Sequence, residues 1–375
     1  MDIRKLEQVY KKWFYLEDFD PIQVELSTVL STKIAGDPVW CFIVGASGGL
    51  KTESLRAFTK CDIVFSISTL TKNALIGGHT KSDKYDLLSK LDGKCLIVKD
   101  FSAILEKNTY DRNEIFGQLR DCYDGYSGKA FASVGTKSQV AHFSLLAGVT
   151  PVIDQYHILT QELGERFLKI RLDIESREEE TKKARRNTGK EDIMREEIST
   201  AVKEFIEEKI QKVKMLHIPL KLQAQLDKIA DFVAKGRTVV QRDRFKKELL
   251  YLPSPEHPTR LVKQLSKLMS CLAITRGKKS VSKKELQTVS RVALNSIPAV
   301  RFKVLDSIHS PVQTNEIVRD TNLPLATVRI ELENLRILRL VDLIDTHAQD
   351  SRGYTWELSE SAEEILGAYG TVKKR

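Results

Sequence analysis

The chain has 375 residues, of which 41% are hydrophobic and 30% charged, so it has room for two or three domains and is not disordered. No apolar run approaches the roughly 20 residues that span a bilayer, and the charged N-terminus is unlike a signal peptide, so we predict a cytoplasmic protein without a membrane partner. The cysteines are scattered without a C-x-x-C pair, which predicts reduced thiols and no zinc site.

The net charge of +9 is unevenly distributed along the chain. Residues 209–285 contain 19 Lys and Arg against 6 Asp and Glu, a net of +13, so the remainder of the chain is net −4. A concentrated basic segment is typical of a protein with a polyanionic partner such as DNA. Solvated helix faces with no partner explain the same charge equally well.

An α/β pattern occupies the first part of the chain. A polar, amphipathic N-terminal helical segment over 1–36, with a helix over 24–34, precedes a nucleotide-binding core over 37–175. Apolar runs predict buried strands over 39–44, 95–98, 140–149 and 167–172. Because helical segments separate these runs, including one over 52–59, we expect a layered fold around a parallel sheet.

The rest of the chain divides into two predicted segments. Residues 176–297 are charged and helical. Residues 298–375 have a different pattern, with predicted helices over 301–308, 314–320 and 325–335 and strands over 340–344 and 354–358. Three helices and a two-stranded wing predict a C-terminal winged helix-turn-helix. Between 301 and 358 it carries 7 basic and 9 acidic residues, so its partner is either DNA or protein.

A glycine-rich stretch follows the first predicted strand and nearly matches the phosphate-binding pattern G-x-x-x-x-G-K-[ST]. Gly45, Lys51 and Thr52 are in register, whereas Leu50 replaces the second glycine. Loop amides and the lysine would bind phosphates, and the threonine hydroxyl would bind Mg²⁺. The predicted nucleotide-binding residues are Gly45, Ala46, Ser47, Gly48, Gly49, Leu50, Lys51 and Thr52. The alternative is a plain turn between a strand and a helix.

Three further residues accompany this loop. Asp100 follows a buried strand, where a carboxylate can bind Mg²⁺ or activate water, although solvent-facing acids at strand ends are common. Thr150 ends the next predicted strand, where a hydroxyl would contact the γ-phosphate or the attacking water. Arg166 lies just before the strand over 167–172. We predict that Asp100 and Thr150 take part in catalysis.

The order of these motifs resembles the AAA+ ATPases, and specifically the branch that holds the minichromosome-maintenance replicative helicases, over about residues 24–297. The resemblance implies ATP and Mg²⁺ as cofactors, Arg166 as an arginine finger for a neighbouring subunit, and Arg260 as a second sensor arginine in a helical lid. It also implies a DNA-contacting hairpin, with 129–133 paired to 139–146 and Lys137 at its tip. The C-terminal winged helix is similar too, whereas the family's N-terminal DNA-binding domain has no counterpart.

The chain departs from that family at three positions, namely Leu50, Lys99 beside Asp100 where the family has Asp-Glu, and Thr150 where it has asparagine. The function implied by the resemblance is an ATP-dependent, DNA-binding, homo-oligomeric ring motor, a replication helicase or helicase loader of a phage or mobile element. Lys99 and Leu50 favour the alternative, a non-hydrolysing nucleotide switch acting through its winged helix. An ATPase that remodels proteins is a second alternative. Arg329 is a predicted DNA contact, although a surface arginine without a partner fits the pattern better.

Overall fold

A computed structural model describes residues 1–77, 86–132, 135–157, 165–172, 176–243, 245–344 and 354–370. The helices there are α1 (Ile3–Trp13), α2 (Asp20–Ser31), α3 (Leu50–Arg56), α4 (Ser102–Leu105), α5 (Thr109–Tyr123), α6 (Arg177–Arg186), α7 (Glu191–Ile210), α8 (Leu220–Gly236), α9 (Thr259–Thr275), α10 (Lys283–Leu294), α11 (Ala299–Asp306), α12 (Thr314–Thr321), α13 (Leu325–Ile337) and α14 (Glu360–Tyr369). The strands are β1 (Trp40–Val44), β2 (Val64–Ile67), β3 (Cys95–Val98), β4 (Tyr126–Phe131), β5 (Gly135–Val140), β6 (Ser144–Val149), β7 (Phe167–Arg171), β8 (Val312–Gln313), β9 (Val341–Ile344) and β10 (Thr355–Leu358). None of the helices in these ranges has the length and apolar character to cross a bilayer.

The chain forms two compact units, each built from two stretches of sequence. The first unit comprises Met1–Ile218 and Lys263–Glu285, and the second comprises Pro219–Val262 and Leu286–Arg375. Of the three boundaries between the units, one lies just before α8 and the other two fall within α9 and α10.

A five-stranded parallel sheet in the order β2-β3-β6-β1-β7 forms the centre of the first unit. Strands β1, β3 and β6 are buried at every position, because helices cover both faces of the sheet. The predicted strand over 140–149 is wrong in its extent. Its start belongs to β5, which pairs antiparallel with β4, and only 144–149 joins the parallel sheet.

The two faces of the sheet have different chemistry. One face carries an aromatic cluster in which the rings of Phe42 and Phe167 stack at 4.0 Å, and residues of α4 and α5 cover it. The other face lies against α2, whose residues from Val24 to Ser31 are all buried. Glu25 is fully buried in α2, and this burial raises its pKa to about 8, although a hydrogen bond from Ser54 opposes the shift.

The second unit contains α8, α11 to α14 and a three-stranded antiparallel sheet in the order β8-β10-β9. Helices α11, α12 and α13 lie within two residues of the predicted helix bounds, and β9 and β10 do the same for the predicted wing strands. The short strand β8 and the final helix α14 were not predicted. Asn322 takes a left-handed conformation (φ 52°) and ends α12, which turns the chain into α13.

Candidate phosphate-binding site

The glycine-rich loop links β1 to α3 at the carboxyl edge of the sheet. The Gly45 N–H donates to the Val149 carbonyl (3.1 Å), which fixes the start of the loop against β6. Ala46, Ser47 and Gly48 are then exposed to solvent. Gly48 has φ +84°, a conformation that favours glycine, and no atom lies within 4 Å of the position a Cβ would take there. The loop therefore offers an open, glycine-dependent turn.

Leu50, where the pattern has its second glycine, is the first residue of α3. In this loop the positive φ angle belongs to Gly48. Leu50 does not have a positive φ angle. Helical backbone accommodates a leucine without strain. The departure at this position therefore does not disturb the turn of the loop.

Lys51 lies beneath the loop in the second position of α3. Its side chain is buried, and Nζ donates to the Gly45 carbonyl at 3.2 Å. Burial lowers the pKa of this ammonium group, while the negative charge of Asp100 opposes that change. The lysine charge therefore lies at the base of the glycine turn, within electrostatic reach of the acid at the end of β3.

Asp100 and Thr150 meet at this same edge because β3 and β6 are neighbouring parallel strands. Ser102 joins them, since its Oγ accepts from the Thr150 N–H (3.0 Å) and lies 3.2 Å from Thr150 Oγ1. The Asp100 carboxylate accepts from the Ser102 N–H (3.0 Å) and is otherwise exposed. The sequence placed Asp100 and Thr150 near the loop, but it gave no signal for the Ser102 bridge.

Gly148 allows these strand ends to approach one another. A Cβ at this position would lie 2.7 Å from the Lys99 carbonyl oxygen and 3.3 Å from Cγ of Lys51. Any larger residue would separate the end of β3 from the start of α3. Sequence analysis did not single out this glycine, because its role depends on a contact between three elements that are distant along the chain.

Lys99, which follows β3, has a separate environment. It lines a cleft of about 410 Å³ that is also lined by Glu53, Arg56 and Arg195. Glu53 accepts hydrogen bonds from Nε and Nη2 of Arg195 at 3.0 Å each, which ties α7 to α3. Lys99 and Asp100 both follow β3. Of these two residues, Asp100 is the one whose charge acts on the pKa of Lys51.

An ion-pair cluster beside the start of the loop was not predicted. Arg171, opposite Val44 in the sheet, donates through Nη2 to both carboxylate oxygens of Asp154 at 2.8 and 2.9 Å. The fully buried Lys169 lies 3.7 Å from the same carboxylate. Asp154 follows Thr150 in a short 3₁₀ helix, so this cluster links the ends of β6 and β7 on either side of β1.

Arg166 precedes β7 and therefore lies at the edge of the sheet opposite the loop, roughly 15 Å along a five-residue strand. Its side chain is buried, Nη2 donates to Asp124 (2.9 Å), and the guanidinium lies 5.4 Å from the ring centroid of Tyr123. This arginine is thus placed away from the loop of its own chain. Its predicted role toward a neighbouring subunit stays a prediction.

The predicted antiparallel hairpin is present as β4 and β5, but the predicted register is wrong. Lys137 pairs with Lys129 within the strands and does not lie at the tip, because the pairing continues to Phe131 and Gly135. Its side chain is buried, with Nζ 2.5 Å from Asp86 and 3.2 Å from the Gly77 carbonyl. Lys137 is therefore engaged inside the unit in this conformation.

The two remaining predicted residues belong to the second unit. Arg260 lies in the first turn of α9 and is half-buried. Arg329 is exposed on α13. Arg260 is therefore less exposed than Arg329, and the DNA contact predicted for Arg329 is compatible with its exposure.

The donor set at the loop fits a nucleotide phosphate group with Mg²⁺. The Thr52 hydroxyl makes no hydrogen bond with any residue that the structure describes, and Asp100 is exposed. One hydroxyl and one carboxylate, with water and phosphate oxygens, are the ligands that Mg²⁺ commonly takes. Within the described ranges, no group of three or more His, Cys, Asp or Glu could hold a metal without a nucleotide, and the cysteines are buried and free.

Comparison with known proteins adds no family assignment. No protein-family model matches the chain, and no curated protein matches it either.

Proposed function

We propose that this protein is an ATP-dependent, DNA-binding ring motor of the AAA+ type, a replication helicase or helicase loader. One observation carries the proposal. The glycine loop, Lys51, Asp100 and Thr150 converge at one edge of a parallel sheet whose order puts the Thr150 strand between the loop strand and the acidic strand. A plain strand-helix turn would not require that convergence.

Each residue has a role that its surroundings support. The exposed loop backbone and the Lys51 charge would hold the β- and γ-phosphates, and Thr52 with Asp100 would hold Mg²⁺, which neutralises phosphate charge when bound. Thr150, positioned by Ser102, would orient a water molecule for attack. Gly148 keeps these groups close together.

Other residues support the proposed ring assembly and the proposed DNA partner. Arg166 is too far from its own loop to act there, so it would act on a neighbouring subunit after release from Asp124, which makes a closed ring the natural assembly. The three helices and small sheet of the second unit support a winged helix, with Arg329 as a phosphate contact. Arg260 would act as the second sensor.

The alternative is a non-hydrolysing nucleotide switch, and Lys99 favours it. Either Lys99 occupies the place of the metal-binding acid and Asp100 that of the acid that polarises water, or Asp100 binds Mg²⁺ and no second acid follows it. In both cases the site has less acid to polarise water, and Lys99 lines the cleft shared with Glu53 and Arg195. Such a site would bind ATP through Lys51 without turning it over. It would then signal through the second unit.

ATP turnover with and without DNA tests the proposal. We expect DNA-stimulated turnover in the wild type, and its loss in Lys51→Ala and in Arg166→Ala. The exposed residues Lys90 and Arg120 provide matched controls, because their replacement by alanine removes the same charges away from the loop. Mixing the two inactive variants should restore part of the turnover, since Lys51→Ala still supplies Arg166 to its neighbour.

Each other result has a defined meaning. ATP binding without turnover in the wild type would favour the switch and end the motor proposal. Full activity of Lys51→Ala would mean that the glycine loop is not a phosphate-binding site. Absence of complementation in the mixture, with both variants folded, would mean that Arg166 stabilises its own subunit through Asp124 and does not reach another.

A further inference from the structure

An exposed loop in the second unit combines aromatic and basic side chains. We call residues 245–252 the tip loop. Five of its eight residues are large apolar side chains that are 39% to 86% exposed. They are Phe245, Leu249, Leu250, Tyr251 and Leu252. Soluble proteins rarely expose such a contiguous run unless something binds to it.

The tip loop is held in a defined conformation. Asp243 Oδ1 accepts from the N–H groups of Phe245 (2.8 Å) and Lys246 (2.6 Å), and the Asp243 N–H donates to the Glu248 carbonyl (2.8 Å). The Leu250 N–H donates to the Gln241 carbonyl (3.1 Å), which closes the turn. The exposed side chains are thus presented by an ordered turn.

Arg242 anchors this turn to the three-helix part of its unit. Its guanidinium donates to the Asn334 side chain and to the Lys247 carbonyl, at 2.9 Å each, and it lies 3.2 Å from Glu333. An anchored turn loses little conformational entropy when it binds a partner. The loop is therefore suited to act as a preformed contact surface.

The tip loop also carries positive charge. Several other cations of the basic segment are engaged in ion pairs, namely Lys228 with Glu364, Lys235 with Asp231, and Arg237 with Glu256. By contrast, Lys246 and Lys247 are exposed, and neither ammonium group has an ion pair with a described residue. Two adjacent cations therefore directly follow Phe245 in the tip loop.

We infer that the tip loop binds single-stranded DNA. Phe245 and Tyr251 would stack on unpaired bases, the leucines would extend the apolar surface, and Lys246 and Lys247 would contact phosphates. Aromatic platforms beside free cations are the means by which proteins bind single strands without reading sequence. The inference rests on the proposed function for its choice of DNA, and it adds a contact site that is separate from β4, β5 and Arg329.

The test measures binding of the full-length protein, without nucleotide, to oligothymidylate and to an abasic oligonucleotide of equal length and charge. We expect tighter binding to oligothymidylate. Replacing Phe245 and Tyr251 together by alanine should weaken this binding at least about fivefold and abolish the preference for bases. Tyr354→Ala is the matched control, because Tyr354 is 67% exposed in the same unit.

The lysines are tested by salt dependence. Each phosphate contact to a single strand contributes about 0.7 to the slope of log affinity against log salt. Replacing both Lys246 and Lys247 by alanine should therefore reduce the magnitude of this slope by about 1.4. Lys221→Ala, at an exposed position of α8, should leave the slope unchanged. Because all these side chains are exposed, the variants should fold normally, which thermal unfolding checks.

Two results would overturn the inference. One is equal affinity of the wild type and the loop variants for oligothymidylate. The other is loop-dependent binding to vesicles of anionic phospholipid without loop-dependent binding to DNA, which would make the loop a membrane contact. Failure of the proposed function is recognised separately. If Lys51 is dispensable for ATP binding while the tip-loop variants still bind oligothymidylate more weakly than the wild type, the motor proposal fails and the tip-loop inference stands.

Discussion

Replacing the buried Glu25 by glutamine should remove a specific pH dependence from the stability of this protein. The Ser54 hydroxyl donates to Glu25 Oε1 at 2.9 Å and lies 3.0 Å from the Lys51 carbonyl, so Glu25 packs directly behind the phosphate loop. Burial raises its pKa from 4.5 to about 8. Glutamine keeps the shape and the hydrogen bond but cannot ionise.

The direction of the effect follows from the two pKa values. The folded protein holds a proton that the unfolded chain releases above a pKa of 4.5, so this stability is fully present below that pH and is lost as the pH rises toward about 8. Each pKa unit corresponds to about 1.4 kcal/mol, so the wild type should lose roughly 3–4 kcal/mol between about pH 5 and pH 8 through this group. The pKa values of Tyr10 and Cys41 are also raised by burial, so both stay neutral in that range.

The assay is denaturant unfolding of the wild type and Glu25→Gln at several pH values. The difference in unfolding free energy between the two should change by roughly 3 kcal/mol over this range, with glutamine relatively more stable at high pH. Glu204→Gln, at an exposed position of α7, is the control for loss of a carboxylate. Parallel curves for the wild type and Glu25→Gln would refute the reasoning, because they would mean that Glu25 ionises as easily in the folded state as in the unfolded chain.

Three further substitutions test the geometry. Gly148→Ala should push the Lys99 carbonyl away, cost about 1–3 kcal/mol and weaken nucleotide binding, which thermal unfolding and nucleotide titration measure. Gly48→Ala should cost about 1–2 kcal/mol through its φ of +84° alone, so a neutral result would contradict the described turn. Lys137→Met leaves Asp86 buried without its cation and should cost about 3–5 kcal/mol in denaturant unfolding, whereas adding Asp86→Leu should recover much of that loss.

Local pattern predicted much of the first unit because its strands are buried on both faces. The strand over 95–98 was predicted at its observed bounds, and the runs at 39–44 and 167–172 differ from β1 and β7 by one residue at one end each. Strand β2 was missed because it is a half-buried edge strand with no continuous apolar signal. The run over 140–149 was misassigned because hydrophobicity alone does not show where a hairpin strand ends and a core strand begins.

The candidate site was predictable only where a residue type acts by itself. The glycine loop, Lys51 and Asp100 carry recognisable chemistry at recognisable places along the chain. The contributions of Ser102 and Gly148 come from neighbours in space, so no spacing in the sequence indicates them. Lys137 illustrates the opposite error. A five-residue tip over 134–138 was predicted, whereas the strands pair as far as Phe131 and Gly135, and the Lys137 ammonium is bonded to Asp86.

The central claim is that the loop from Gly45 to Thr52 holds nucleotide phosphates, and titration of the purified protein with ATP in the presence of Mg²⁺ tests it most directly. We expect one bound ATP per chain, strong loss of affinity in Lys51→Ala, and loss of the Mg²⁺ dependence in Asp100→Asn. Wild-type affinity in Lys51→Ala, or an absence of ATP binding by folded wild-type protein, would contradict it.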